Sequence, residues 1–191
     1  MANEDWRTLK RDATRRRLTD AAYELFAAHG YDAVSVADIA EAADVSVPTF
    51  YAYFRTKEHV VLPEQDLSWI RTHLSRTPAD LPLPERIRLG LHAIVGEIEE
   101  HARPESIRRW QLVHAEPALR RRAYDRERAS ADSLAEVLGV DLATPEGAAD
   151  VVVLSACLSA STTSFLRWAE TGGTRPLTEL IDEAFAALRS I

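Results

Sequence analysis

The sequence predicts an all-α protein, and three observations carry that expectation. Apolar residues recur mostly at helical spacing. The β-branched runs are short, the longest being Val151 to Val153. Glycines and prolines divide the chain into about nine helical segments. At 191 residues and 46% hydrophobic content the composition is that of an ordinary globular protein.

Leu18, Ala21, Ala22, Leu25, Phe26 and His29 follow the i, i+3, i+4, i+7 template of a first helix, and Gly30 is placed to end it. Ser35, with Asp38 three residues on, opens a second helix as a capping box; Val36, Ile39, Ala40 and Ala43 are its apolar stripe. Asp44 and Val45 interrupt the pattern. Ser46 then caps a third helix whose first turn tolerates Pro48, because a proline there gives up only an unpaired amide. On that helix Val47, Phe50 and Phe54 share one side, Pro48, Thr49 and Ala52 face away, and Tyr51 and Tyr53 flank them.

Thr56 can cap a fourth helix from Lys57, and Pro63 predicts a kink or early break before Leu67, Ile70, Arg71 and Leu74. Thr77 to Pro84 is a proline-rich linker. A fifth helix runs from Pro84 with Ile87, Leu91, Ile94, Val95 and Ile98, and further helices are expected over 105–114, 117–138, 145–170 and 176–190. The functional division is a helix-turn-helix domain over 1–56 and a ligand-binding and dimerisation domain over 57–191.

The formal net charge of -7 argues at first against a polyanionic partner, but the basic residues are clustered. Arg7, Lys10, Arg11, Arg15, Arg16 and Arg17 crowd the start of the chain, ahead of the first apolar stripe. The single Cys157 forms no internal disulfide, and no signal-peptide pattern opens the chain, so a cytoplasmic location is expected. Gly147 to Leu166 is apolar but contains Asp150, Ser155, Ser159, Ser161, Thr162, Thr163 and Ser164, which argues against a membrane span.

Helix diameter, about 10 to 12 Å, matches the major groove, so a short helix on a rigid partner can read base edges. The third helix suits that task. Thr49 can bond a base or phosphate, Pro48 and Ala52 can pack on thymine methyls, and Tyr51 and Tyr53 can reach flanking phosphates. Lys57 with the amides opening the fourth helix, and the arginine cluster including Arg15, are further phosphate clamps. Without an outward arginine on the third helix, base choice rests on methyl contacts, tyrosine positioning and DNA shape.

Leu18 to Gly30, followed by the stretch SVADIAEAADVSVPTFYAYFRTKE from Ser35 to Glu58, resembles the DNA-binding domain of the TetR family of repressors. The resemblance implies DNA contacts at Ser35, Pro48, Thr49, Tyr51, Tyr53 and Lys57. Asp44 departs from the glycine usual in the turn, although Asp tolerates the left-handed conformation. More loosely, Glu116 to Arg120, Arg167-Trp168 and Leu180 to Phe185 resemble an actinobacterial-type branch of that family. The resemblance further implies a homodimer, with helices 145–170 and 176–190 pairing with their mates as a four-helix interface, on double-stranded operator DNA.

A small apolar or amphipathic effector is expected, with Trp69, Trp110, His114 and Tyr124 as candidate pocket residues; ordinary core packing is the competing explanation for each. Moved by the effector, the fourth helix would act as the lever. Cys157 reads as a buried inert thiol. Glu99, Glu100 and His101 lack the spacing of a metal site, so no metal and no cofactor is expected. No phosphate-binding glycine loop, HExxH, G-x-S-x-G or S-x-x-K motif is found, so no catalytic residue is named. Two alternatives stay open: a helical enzyme carrying a DNA-binding-like bundle, and a DNA-binding protein whose second half docks a protein partner.

Overall fold

The computed structural model describes residues 2–63, 72–78, 80–141 and 143–190, with side chains from Trp6 onward except at position 137. Leu67, Trp69, Ile70 and Arg71 of the sequence reading therefore lie outside the described residues. All regular structure among the described residues is helical. The chain divides into two compact units, Met1–Glu64 and Gln65–Ile191.

The first unit contains α1 (Ala2–His29), α2 (Val36–Ala42), α3 (Val47–Tyr53) and α4 (Lys57–Val61). α1 starts well before its apolar stripe, so the basic cluster is helical instead of preceding the first helix. Good helix formers such as Leu9, Lys10, Ala13 and the arginines sustain those turns without a buried face. At 28 residues the helix is about 42 Å long. Its C-terminal half is what packs: Leu18 and Ala22 are fully buried, with Phe26 against Tyr31 at 4.9 Å between ring centroids. Ile39 and Ala40 of α2, Phe50 of α3 and Val60 and Val61 of α4 complete the core. Each leucine, isoleucine, valine or phenylalanine among them contributes about 1.5–3 kcal/mol through burial.

Pro63 does end α4 early, as its missing amide requires, with Leu62 as the C-cap. The boundary between units falls after α4, whereas the sequence reading had put this helix in the second domain.

The second unit contains a helical turn at 72–75, then α5 (Leu83–His101), α6 (Arg103–Ala115), α7 (Pro117–Val137), α8 (Pro145–Glu170) and α9 (Leu177–Leu188). α8 is its central element and packs on α5, α6, α7 and α9. By length and composition α8 could cross a membrane; here it is the apolar core helix of the unit, with Leu154, Cys157 and Trp168 buried. Small residues let α9 approach: the Ser164 hydroxyl, fully buried, lies 2.8 Å from the Ala160 carbonyl and 3.1 Å from that of Leu180. α9 spends its apolar stripe inside the unit, where Leu177, Leu180, Ile181 and Phe185 are all buried. Arg88 of α5 pins its other side, donating to Asp182 at 2.6 Å.

Candidate nucleic-acid interface

The hinge of the first unit is the connection from α2 to α3, and each bond in it follows from local sequence. Ser35 opens α2 with a reciprocal capping box: the Asp38 amide donates to Ser35 Oγ at 3.2 Å, and the Ser35 amide donates to Asp38 Oδ2 at 2.8 Å. The Ser35 backbone amide and hydroxyl hold the Asp38 carboxyl below the usual aspartate range. At the other end Asp44 sits at φ 51. Its amide bonds the Glu41 carbonyl at 3.0 Å, and the Val45 amide bonds that of Ala40 at 2.9 Å. This is a Schellman motif with aspartate at the left-handed position. α7 and α8 end in the same bond pattern with Gly139 and Gly172 in that place. Asp44 thus fulfils the expectation that the turn survives without glycine.

Ser46 then caps α3, accepting from the Thr49 amide at 3.2 Å, with its hydroxyl 2.8 Å from Thr49 Oγ1. The two faces of α3 separate as the sequence predicts. Phe50 is fully buried and lies 5.7 Å from the Phe54 ring. Pro48, Ala52 and Tyr51 are exposed, Tyr51 at 54%, while Thr49 and Tyr53 are half-buried. The rigid side of the helix is apolar, and the presented side is uncharged.

A surface groove of about 430 Å³ runs beside it, lined among others by Ser35, Val36, Tyr51, Arg55 and Lys57. The structure thus brings Ser35, Tyr51 and Lys57 together. It also adds Arg55, which the sequence reading gave no role although it follows α3 directly; the signal was a cation one residue past the helix cap.

Lys57 has a second occupation. Its Nζ donates to the Tyr31 carbonyl at 2.9 Å and the Val34 carbonyl at 3.1 Å, and stands 4.3 Å from the Tyr31 ring centroid. Two of its three donors are therefore used within the unit. Nor are the amides opening α4 an open anion site. Burial opposes ionisation of Glu58, but hydrogen bonds from Thr56, its own backbone amide and Tyr31 outweigh it and lower its pKa. A carboxylate already occupies that helix start.

Arg15 is exposed on α1 with its guanidinium 5.0 Å from the Phe54 ring, which places a cation beside the end of α3. Arg7, Lys10 and Arg11 recur with it at spacings of three and four residues, all exposed.

The candidate effector residues fare differently. Trp69 lies outside the described residues. Trp110 is buried and stacked on Phe165 at 4.8 Å, and His114 is half-buried. Tyr124 is 51% exposed, on the side of α7 opposite Leu119 and Ala123, so it does not line the interior with Trp110. The Cys157 thiol is buried, and burial pushes its pKa up to about 11. No group of three or more metal-ligating side chains occurs among the described residues.

Family models match both halves: that for bacterial regulatory proteins of the tetR family over residues 18–62, and that for the MftR C-terminal domain over 81–191. MftR of Mycobacterium tuberculosis, a regulator named for mycofactocin biosynthesis, is 42% identical over 67 residues, 35% of this chain and 31% of that protein. The transcriptional repressor KstR of Rhodococcus jostii is 37% identical over 82 residues, 42% of this chain and 38% of its own. The match thus spans about a third of each curated relative. The fold is shared with the fatty acid degradation regulator FadR of Bacillus halodurans at TM-score 0.54 and 18% identity, over 92% of this chain and 94% of the other. It is shared too with Thermus thermophilus FadR, a repressor solved with lauroyl-CoA, at TM-score 0.50 and 23% identity, over 92% and 93%. A helix-turn-helix of this geometry at the head of a chain matched along both halves places the protein in the TetR family of DNA-binding transcriptional regulators.

Proposed function

We propose that the chain is a ligand-responsive repressor that binds a palindromic operator as a homodimer. The observation that carries this reading is α3 itself, fixed by a cap at its start and a buried Phe50 beneath, with Pro48, Tyr51 and Ala52 turned outward. Pro48 and Ala52 suit thymine methyls, and Thr49, Tyr51 and Tyr53 suit bases and phosphates. Ser35, Arg55 and the remaining donor of Lys57 line the groove for the backbone, and Arg15 extends the cationic edge.

Dimerisation is supported by α8, whose outer residues Val152, Ser155, Ser159 and Thr163 are exposed and uncharged. Two-fold pairing there sets two reading helices about 34–36 Å apart, or a multiple of it, and makes the operator palindromic. An amphipathic effector is favoured by the lauroyl-CoA held in the same fold by Thermus thermophilus FadR. Binding in the second unit would release the operator by changing the separation of the reading helices. A bacterial regulator of this kind works in the cytoplasm and turns over no substrate.

Footprinting the purified protein on the DNA upstream of its own gene, over a salt series, tests the reading. A protected palindrome is expected, lost in Tyr51→Ala at unchanged thermal stability. Absence of protection even at low salt would refute it.

A further inference from the structure

The exposed apolar side chains of the first unit do not all belong to the reading face. Tyr51 does, but Trp6 is 58% and Leu9 69% exposed near the start of α1. At about 100° per residue, Trp6, Leu9 and Ala13 form one row along that helix, and Arg7, Arg11 and Arg15 form a second row on nearly the opposite side. Arg15 ties the second row to α3 through the Phe54 ring. The apolar row is therefore turned away from the side of α1 nearest α3, and DNA held on that side would leave it accessible. Lys10 flanks it, with its Nζ 5.2 Å from the Trp6 ring centroid. Single exposed apolar residues are ordinary, whereas a tryptophan and a leucine one turn apart make a contiguous patch, and tryptophan is the side chain that most often carries a contact between proteins.

The same unit carries a surface of complementary character. Between the end of α1 and α2 lies a groove of about 530 Å³, lined among others by Leu25, Val34, Ala42, His29, Asp38 and Glu41. Buried Val34 and half-buried Leu25 make its apolar part, and Asp38 and Glu41 are exposed. Two carboxylates against one imidazole leave it acidic. Asp38 Oδ2 is held by the amide and hydroxyl of Ser35, so Glu41 is the carboxylate with no part in the helix cap. The volume lies within the range of roughly 300–1,000 Å³ in which small molecules are held, so an indole can enter. A cation beside an indole thus faces a carboxylate beside an apolar floor. The two surfaces cannot meet within one chain, because Trp6 and Leu25 stand on one continuous helix and are about 28 Å apart along it.

We propose that Trp6, Leu9 and Lys10 of one copy dock in the groove bearing Glu41 of a second copy, so that copies bound side by side on DNA hold one another. A tryptophan buries about 150–250 Å², far less than the roughly 1,200 Å² of a stable interface. The contact is therefore weak in free solution and takes effect where DNA already brings copies together and raises their effective concentration. Patch and groove lie on different sides of α1, so one pairing leaves a patch open at one end and a groove at the other, and the contact runs on from copy to copy. The inference rests on the DNA-binding role of the first unit and needs neither a palindrome nor an effector.

The test uses the full chain on two random-sequence duplexes at low salt, one with room for a single footprint and one with room for several. The ratio of affinity per site on the long duplex to that on the short one is the cooperativity factor. A factor of about tenfold or more is expected, which one buried tryptophan contact supplies. Trp6→Ala and Glu41→Lys each bring the factor toward one, and Trp6→Ala leaves affinity for the short duplex unchanged. Exchanging the charges, Lys10→Glu together with Glu41→Lys, restores it, and that rescue excludes a damaged fold as the cause of the loss. A factor of one in the wild type, a factor that survives either Trp6→Ala or Glu41→Lys, or an exchanged chain no more cooperative than Glu41→Lys alone overturns the contact. Absence of a protected palindrome in the footprint would refute the repressor reading instead and leave this contact standing.

Discussion

The two units use the same residue type in opposite ways. On α1, Arg7, Arg11, Arg15, Arg16 and Arg17 are exposed; on α6 and α7, Arg109, Arg122 and Arg126 are turned inward and half-buried. Exposed guanidinium groups keep their hydration, act over a Debye length of about 10 Å and weaken as salt rises. Inward ones lose hydration, act over hydrogen-bond range and respond to what is bound beside them. The first arrangement suits a long polyanion approached from outside. The second belongs to the packing of a helical interior, and net charge alone distinguishes neither.

The same contrast of inside and outside orders the expected effects of substitution. Phe50→Ala should be the most damaging change in the first unit, costing about 3–5 kcal/mol as a cavity opens under α3; thermal or urea unfolding reads it, and DNA binding falls with the fold. A loss below about 1 kcal/mol would mean that α3 is not seated by this ring. Lys57→Gln is expected to cost about 1.5–3 kcal/mol, because the Tyr31 and Val34 carbonyls lose a charged donor. If its stability matches wild type while operator affinity collapses, Lys57 serves phosphate first.

On the outer surface, Arg11→Ala and Arg15→Ala should leave stability within about 0.5 kcal/mol. Each that meets a phosphate lowers the slope of log affinity against log salt by about one. An unchanged slope in both would leave the basic stretch of α1 as mere solvated surface. Asp44→Gly should stabilise the first unit by up to about 1 kcal/mol, since glycine enters the left-handed region without steric strain. The smallest effect concerns acid. The folded pKa of Asp38 lies below its ordinary 3.8, so its contribution is full above that pH and is lost as pH falls through the folded value. The stability gap between wild type and Asp38→Asn should therefore close in acid, and a gap independent of pH would assign the effect to something other than charge.

The parts of the molecule that were legible in its sequence are those whose causes are local. Ser35 with Asp38, Ser46 with Pro48, and Asp44 in the turn act within a few residues of themselves, so α2 and α3 were read close to their bounds. Alternating burial along α3 likewise follows from one helix period. Long-range partners were not legible. Lys57 bonds residues 26 and 23 positions away, and nothing in its neighbours announces this. The long start of α1 was missed because it has helix formers but no apolar stripe. Tyr124 and Arg126 stand on a helix poor in large apolar residues, so composition left its phase open; the tyrosine faces out and the arginine faces in.

Lys57 has a mechanical consequence. It fastens the first turn of α4 to the connection between α1 and α2, and the buried Val60 and Val61 seat the rest of α4 in the same core, so a displacement of α4 is transmitted to both helices. The four helices of the first unit should consequently move as one rigid piece when α4 is displaced.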